Sequence, residues 1–264
     1  QANYQKSRAF SSSQLKMLEK LVLARESHYE LLDLCRTNNI GFLSSAFDEA
    51  SLEFLGTLNL DLLKVPSGEI TNLPYLRKVA SFGKPVVMST GMATFHEVES
   101  AVAVLTAGGM SLDHLTVLQC VTAYPAQVCD VNLRAMTSMG ELLRVKIGYS
   151  DHTEGVEVSI AAVALGATVI EKHLTLSNLM DGPDHAASLE PQRFSEMVRA
   201  IRNVELALGS GAKEPSFDEI QNIEAARKSI VANADIRKGE TITEEKLCVM
   251  RPGNGVSPML WDSV

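Results

Sequence analysis

Two histidines, His152 and His173, stand at the ends of successive β-branched runs about 20 residues apart. At that spacing, neutral imidazoles can sit side by side on adjacent strands and ligate a divalent cation. Such a pair leaves several coordination positions open to water or substrate, which suits Lewis-acid chemistry better than a closed structural site. The same spacing equally fits strand-end histidines hydrogen-bonded within the fold, with no metal. Lys64 and Lys84 lie near the ends of other runs, with Ser67, Ser89 and Ser150 as hydroxyl donors. That combination can hold a phosphate without a glycine-rich loop. Lys84, in a Gly-Lys-Pro turn, reads as solvated punctuation, whereas Lys64 interrupts an apolar run and is the stronger candidate. Glu69 and Asp184 could bind sugar hydroxyls or transfer protons, although a loop carboxylate is more often simply solvated. There is no Gly-x-Ser-x-Gly elbow and no Walker pattern, and Cys120 sits inside an apolar run as a buried thiol would. Nucleophilic hydrolase chemistry is disfavoured.

These residues need a scaffold that brings strand ends together. Between residues 40 and 210, short apolar runs alternate with segments of helical period, the signature of βα units on a parallel sheet. Six candidate strands are Ile40 to Phe47, Asp61 to Pro66, Pro85 to Thr90, Leu115 to Val121, Val145 to Ser150 and Thr168 to Leu174. Their nearly continuous apolar character fits strands covered on both faces. The carboxyl ends carry Ser44-Ser45, Lys64 with Ser67 and Glu69, Ser89-Thr90, Gln119 and Thr122 with Tyr124, Ser150-Asp151-His152, and Glu171-Lys172-His173. Polar groups at every strand end favour a (β/α)₈ barrel, since a doubly wound sheet gathers its ligand groups at one switch point.

Thr94-Phe95-His96-Glu97 is a capping-box pattern that opens a helix with Phe95, Val98, Val102 and Leu105 on one face and Gly108-Gly109 at its end. A longer helix starts near Pro191, carries a stripe of Phe194, Val198, Ile201, Val204 and Leu208, and stops at Gly209-Ser210-Gly211. Two more helices, Gln14 to Arg25 and Glu26 to Asn38, precede the first strand. The expected organisation is a barrel domain over 1–211, a polar linker over 212–226, and a small second domain over 227–264.

Composition narrows the function. The formal net charge is −8 over 264 residues and no Lys/Arg cluster stands out, so a nucleic-acid binder is excluded as the first reading. The longest nearly apolar stretch, Ile160 to Ile170, is about half the roughly 20 residues needed to cross a bilayer. Cys35, Cys120, Cys129 and Cys248 lack Cys-x-x-Cys spacing, which argues against a zinc knuckle or disulfide framework and for a reducing, cytoplasmic setting.

Taken jointly, Lys64 to Glu69 (KVPSGE), Phe82 to Pro85 (FGKP), Ser89 to Met92 (STGM), Gln119-Cys120 with Ala123 to Pro125, Gly148 to Thr153 (GYSDHT), Glu171 to Thr175 (EKHLT), Gly182 to His185 (GPDH) and Arg251 to Gly255 (RPGNG) resemble the sialic acid synthases. The resemblance runs from about residue 14 to the end, with order and spacing preserved. It implies a (β/α)₈ barrel followed by a small antifreeze-like domain, in a domain-swapped homodimer where that domain covers the partner's barrel. The implied reaction condenses phosphoenolpyruvate with N-acetylmannosamine and water to give N-acetylneuraminate and phosphate. A related nonulosonic acid of the legionaminic type is the alternative product, and an inactive sugar-phosphate-binding remnant the alternative from another class. By resemblance, His152 and His173 bind Mn²⁺ or Mg²⁺; Lys64, Ser67, Ser89, Thr122 and Ser150 hold phosphoenolpyruvate; Glu69, Tyr124 and Asp184 face the amino sugar; and Arg251 reaches the partner's site.

Family members also begin with two further βα units, whose strand ends carry a Glu-Ile-Gly motif with the proposed general base and a Lys-Phe-Gln motif with another anion-binding lysine. Neither motif occurs here, and the chain stops at Trp261-Asp262-Ser263-Val264. The expectation is therefore a piece of a longer protein, carrying about six of the eight βα units and the start of the second domain.

Overall fold

A computed structural model describes residues 14–264. The chain divides into two compact units after Leu208. In the first, helices α1 (Gln14–Glu19) and α2 (Arg25–Thr37) precede α3 (Glu49–Thr57). Five parallel strands then follow, β1 (Leu63–Val65), β2 (Val86–Ser89), β3 (Leu115–Cys120), β4 (Lys146–Asp151) and β5 (Val169–Lys172), in sheet order equal to chain order. Between them run α4 (Leu73–Ser81), α5 (Phe95–Ala107), α6 (Leu133–Leu143) and α7 (Glu157–Ala164), and α8 (Pro191–Leu208) ends the unit. Strand order without a switch point is the arrangement of a barrel wall rather than a doubly wound sheet.

The six-strand expectation holds for five. Ile40–Phe47 forms no strand and meets the sheet only through the bridge between Ser45 and Lys64. Gly41 and the Ser44-Ser45 pair interrupt it, and a strand interior broken by glycine and short polar residues gains little from a ladder.

The two faces of the sheet are sharply different. Outward-facing Leu63, Val65, Val86, Met88, Leu115 and Val117 join Tyr75, Leu76, Val79, Val98, Val102 and Leu105 of α4 and α5 in one buried core. A second cluster joins Tyr149 of β4 to Met136, Val158 and Ala162. The inner face carries layers in register: Ser89, Leu118, Gly148 and Val169, then Cys120, Ser150 and Glu171. Gly148 has a physical reason, since a Cβ there would meet Leu118 Cδ2 at 2.5 Å and the Val169 carbonyl at 2.4 Å. The Thr94/Glu97 capping box forms as expected, with Val98, Val102 and Leu105 buried and Phe95 at the exposed margin. In α8 the packed face is rotated from the expected stripe: Met197 and Ile201 are buried against Val163 and Leu189, while Val198 and Leu208 face solvent.

The second unit holds α9 (Phe217–Ala226) and an antiparallel pair, β6 (Ser229–Ala232) and β7 (Leu247–Met250). The stretch 212–226 is thus not a plain linker. Ser216 and Glu219 cap α9 reciprocally, which starts a helix in an otherwise polar segment.

Candidate active site

Parallel strands place alternate residues on one face, so at the carboxyl ends of β4 and β5 the inward positions are Ser150, His152, Glu171 and His173. The two imidazoles meet edge to face, with ring centroids 5.2 Å apart. The Tyr124 ring lies 4.1 Å from that of His152 and 5.5 Å from that of His173.

His152 is the more tightly held. It is buried, and its Nδ1–H donates to the Val121 carbonyl at 2.6 Å, which fixes the tautomer and leaves Nε2 as an acceptor. Ser150 Oγ lies 3.3 Å from that Nε2 but donates its proton to Glu171 Oε1 at 2.7 Å, so the Nε2 lone pair is not consumed by it. Burial holds the imidazole below its ordinary pKa; the Val121 carbonyl opposes this and neighbouring His173 adds to it. The neutral form is the metal-ligating form. His173 is part-exposed, with Nδ1 3.7 Å from Asp184 Oδ2. Among the described residues no group of three or more His, Cys, Asp and Glu side chains is arranged to hold a metal. The two imidazoles nonetheless fit a divalent cation held by few protein ligands, because the donor atom of His152 is neutral and uncommitted to Ser150.

Beside this pair lies a cationic and hydroxyl cluster. Buried Lys64 donates from Nζ to Ser89 Oγ at 2.7 Å and stands 3.5 Å from Glu171 Oε2. Glu171 therefore ties the lysine to Ser150, whose Oγ lies beside the His152 ring. Ser67 Oγ accepts the Gly91 N–H at 3.0 Å and touches Cys120 Sγ at 3.3 Å. Thr122 Oγ1 is buried with no hydrogen-bond partner, and a Cβ on Gly91 would come within 2.2 Å of it. A buried hydroxyl left unsatisfied next to a backbone that must stay bare marks space for a ligand oxygen.

The residues expected from sequence thus divide. Lys64, Ser89, Ser150, His152, His173 and Tyr124 form a linked group, with Asp184 at its edge and Ser67 and Thr122 around Gly91. Glu69 is instead engaged with Asn72 at 2.6 Å, at the start of α4. Arg251 belongs to the second unit, where its Nε donates to the Ala226 carbonyl at 3.0 Å. Lys84 lies at the opposite, amino end of β2 and donates to the Leu60 carbonyl and Asn59, in keeping with a punctuation role. Sequence reasoning gave no role to Glu171 or Gly91, although both lie inside motifs that were singled out.

The wall of parallel strands with a polar cluster at its carboxyl ends is laid out as the active site of a barrel-type enzyme. Comparison with known proteins narrows it. The NeuB family model matches residues 1–213. An N,N'-diacetyllegionaminic acid synthase of Campylobacter jejuni is 48% identical, over 99% of this chain and 78% of that protein. Human N-acetylneuraminate-9-phosphate synthase is 40% identical, over 87% of this chain and 63% of that protein. The crystal structure of an N-acetylneuraminic acid synthetase from Leptospira borgpetersenii superposes with a TM-score of 0.75 at 30% identity, over 84% of this chain and 77% of that one. The chain belongs to the NeuB family of sialic acid synthases, which are carbon–carbon bond-forming transferases, and is a nonulosonic acid synthase. Of the two products expected, the legionaminic type fits these relatives better than N-acetylneuraminate, which reverses the order given by motifs alone.

Proposed function

We propose that the chain condenses phosphoenolpyruvate with an N-acetylated, manno-configured amino sugar and water, releasing phosphate and a nonulosonic acid of the N,N'-diacetyllegionaminic type. The observation that carries the proposal is the placement of an anion-binding cluster, Lys64 with Ser89 and Ser150 linked by the Glu171 carboxylate, directly beside the imidazole pair. Phosphate and carboxylate oxygens of phosphoenolpyruvate would be held by Lys64, Ser67, Ser89, Thr122 and Ser150, where the buried cation offsets charge in a low-dielectric setting. The Thr122 hydroxyl gains its missing partner in this arrangement.

His152 and His173 would hold Mn²⁺ or Mg²⁺. When bound, the cation supplies Lewis-acid polarisation of the sugar's open-chain aldehyde. In the overall reaction the enol carbon bonds to the aldehyde carbon, water adds at the adjoining cationic carbon, and the carbon–oxygen bond to phosphate breaks. The chain's own part is orientation. Lys64 and the hydroxyls fix the enol face, Tyr124 lies against both imidazoles, and Asp184 beside His173 is the candidate for sugar hydroxyl contact. Glu69 is kept as a sugar-facing candidate whose carboxylate would have to leave Asn72.

The proposal includes a homodimer in which Arg251 acts on the partner's site, residues 227–264 as the start of an antifreeze-like domain, and a cytoplasmic location. The four cysteines are free, and among the described residues no helix is long and apolar enough to cross a membrane. Phosphate release is the test: it should require phosphoenolpyruvate, Mn²⁺ and the amino sugar together, and proceed best with the 2,4-diacetamido sugar that leads to diacetyllegionaminic acid. Release that needs no sugar, or no release from a chain that also carries the two preceding βα units, would sink the synthase reading. For the dimer, mixing inactive Arg251→Ala and His152→Ala chains should restore part of the activity. No recovery on mixing would count against action in trans.

A further inference from the structure

On the outward side of β4 and β5, directly behind the two histidines, lies an ion pair that the chemistry above does not use. Asp151 and Lys172 are register partners, the last pair of the β4–β5 ladder, and each immediately precedes one of the two histidines. Lys172 Nζ is 3.1 Å from Asp151 Oδ2, and both side chains are fully inaccessible to solvent. The carboxylate is saturated. Asp151 Oδ1 accepts from the Thr153 N–H at 2.9 Å and the Thr153 hydroxyl at 2.7 Å, and Oδ2 accepts from Ser159 Oγ of α7 at 2.6 Å. Lys172 also donates to the Thr153 carbonyl. The pair therefore ties β5 to β4, to the backbone just past His152, and to the helix behind them.

We propose that Asp151 and Lys172 are positioning residues that set the spacing and facing of His152 and His173 for a divalent cation. This rests on the reading of the two histidines as the metal-holding pair. Two features carry it. First, stability alone does not account for an ion pair here, because a buried pair is often no better than apolar residues of similar volume. Second, what an ion pair adds is direction, and its direction runs across the ladder at the level where the imidazoles must be matched, with Ser159 of α7 holding the carboxylate in place. Outward alternation means the pair touches neither substrate nor metal; it acts through the backbone of its neighbours.

The test is the double variant Asp151→Asn/Lys172→Met, titrated with Mn²⁺ alone by calorimetry on the full chain. Asn keeps an acceptor for Thr153 and Met keeps the volume of the lysine stem, so no buried charge is stranded. The expected result is native circular dichroism with Mn²⁺ affinity lowered about 10- to 100-fold, the range for supporting residues behind metal ligands. Ser159→Ala, which removes one hydrogen bond from Asp151 and leaves both charges, should lower affinity in the same direction by a smaller factor. Wild-type affinity in a folded double variant would overturn the inference; should that variant not fold, wild-type affinity in Ser159→Ala overturns it. A His152→Ala control separates the two levels. If Mn²⁺ binds the wild-type chain equally with and without His152, the metal reading itself fails and this inference with it.

Discussion

The two histidines offer a comparison within one site. His152 leaves β4, a strand with neighbours on both sides, and is buried, with Nδ1 fixed on the Val121 carbonyl. His173 follows β5, is part-exposed among the described residues, and has a carboxylate at 3.7 Å as its polar neighbour. The first ring is ordered by a hydrogen bond of its own. The second is ordered through its strand, by the Asp151–Lys172 pair behind and the Leu174–Leu189 bridge beyond. The site thus has one ligand fixed directly and one whose geometry depends on what braces its strand.

The strongest way to break that comparison is to remove each ring. His152→Ala and His173→Ala should both lower metal-dependent phosphate release about a thousandfold or more, the consequence of losing several kcal/mol of transition-state stabilisation. Their stabilities should differ. His152→Ala empties a buried site and strands a part-buried carbonyl, and should cost about 1–3 kcal/mol in urea unfolding, while His173→Ala, part-exposed, should stay within about 0.5 kcal/mol. Equal stability loss in both would remove the distinction between rigid and braced ligand. Retained turnover in either would remove the metal role.

Next in size is Lys64, which stands on the well-ordered side. Lys64→Met should reduce kcat/KM for phosphoenolpyruvate about 10- to 100-fold, as for a charge-assisted hydrogen bond worth roughly 1.5–3 kcal/mol. Its Mn²⁺ affinity, read separately by calorimetry, should be preserved. A variant that loses metal instead of phosphoenolpyruvate would mean that the cluster around Glu171 works as one unit rather than as two subsites. Asp184→Asn acts on the braced histidine alone. It should weaken Mn²⁺ binding by about tenfold at most, the low end for a supporting carboxylate, since its oxygen sits beyond hydrogen-bond distance.

The legible part of the sequence divides by element. Five strands lie where apolar runs are covered on both faces, because burial on two sides leaves a continuous signature. Ile40–Phe47 reads the same way, yet it forms only one bridge. Periodicity records apolarity and not the ladder, which Gly41 and the serine pair interrupt. The inward histidines, lysine and serines were recognisable by type and position at strand ends. Glu171 was not, since a carboxylate between Ile170 and Lys172 carries no local mark of bridging Lys64 to Ser150. Nor was the Asp151–Lys172 pair, whose partners are 21 residues apart and meet only through strand register. Helix α9 is different in kind: Ser216-x-x-Glu219 is a capping box in plain view, and weighting it above the polarity of 212–226 would have placed the helix.

The smallest expected effect concerns the buried ring alone, and its sign can be worked out. Burial holds His152 below the ordinary imidazole pKa near 6.5, so between that value and the lower one of the folded chain the unfolded chain binds the extra proton. Protons then favour unfolding, and the contribution of His152 to stability is fully present above about pH 6.5 and is lost as pH falls through the folded value. His152→Asn keeps a side-chain N–H for the Val121 carbonyl but has no group to titrate. Its unfolding free energy should fall less steeply than that of the wild-type chain as pH is lowered below about 6.5. Parallel curves for the two chains would mean that the imidazole of the rigid strand accepts a proton as readily folded as unfolded, and the contrast between the two histidines would then rest on geometry alone.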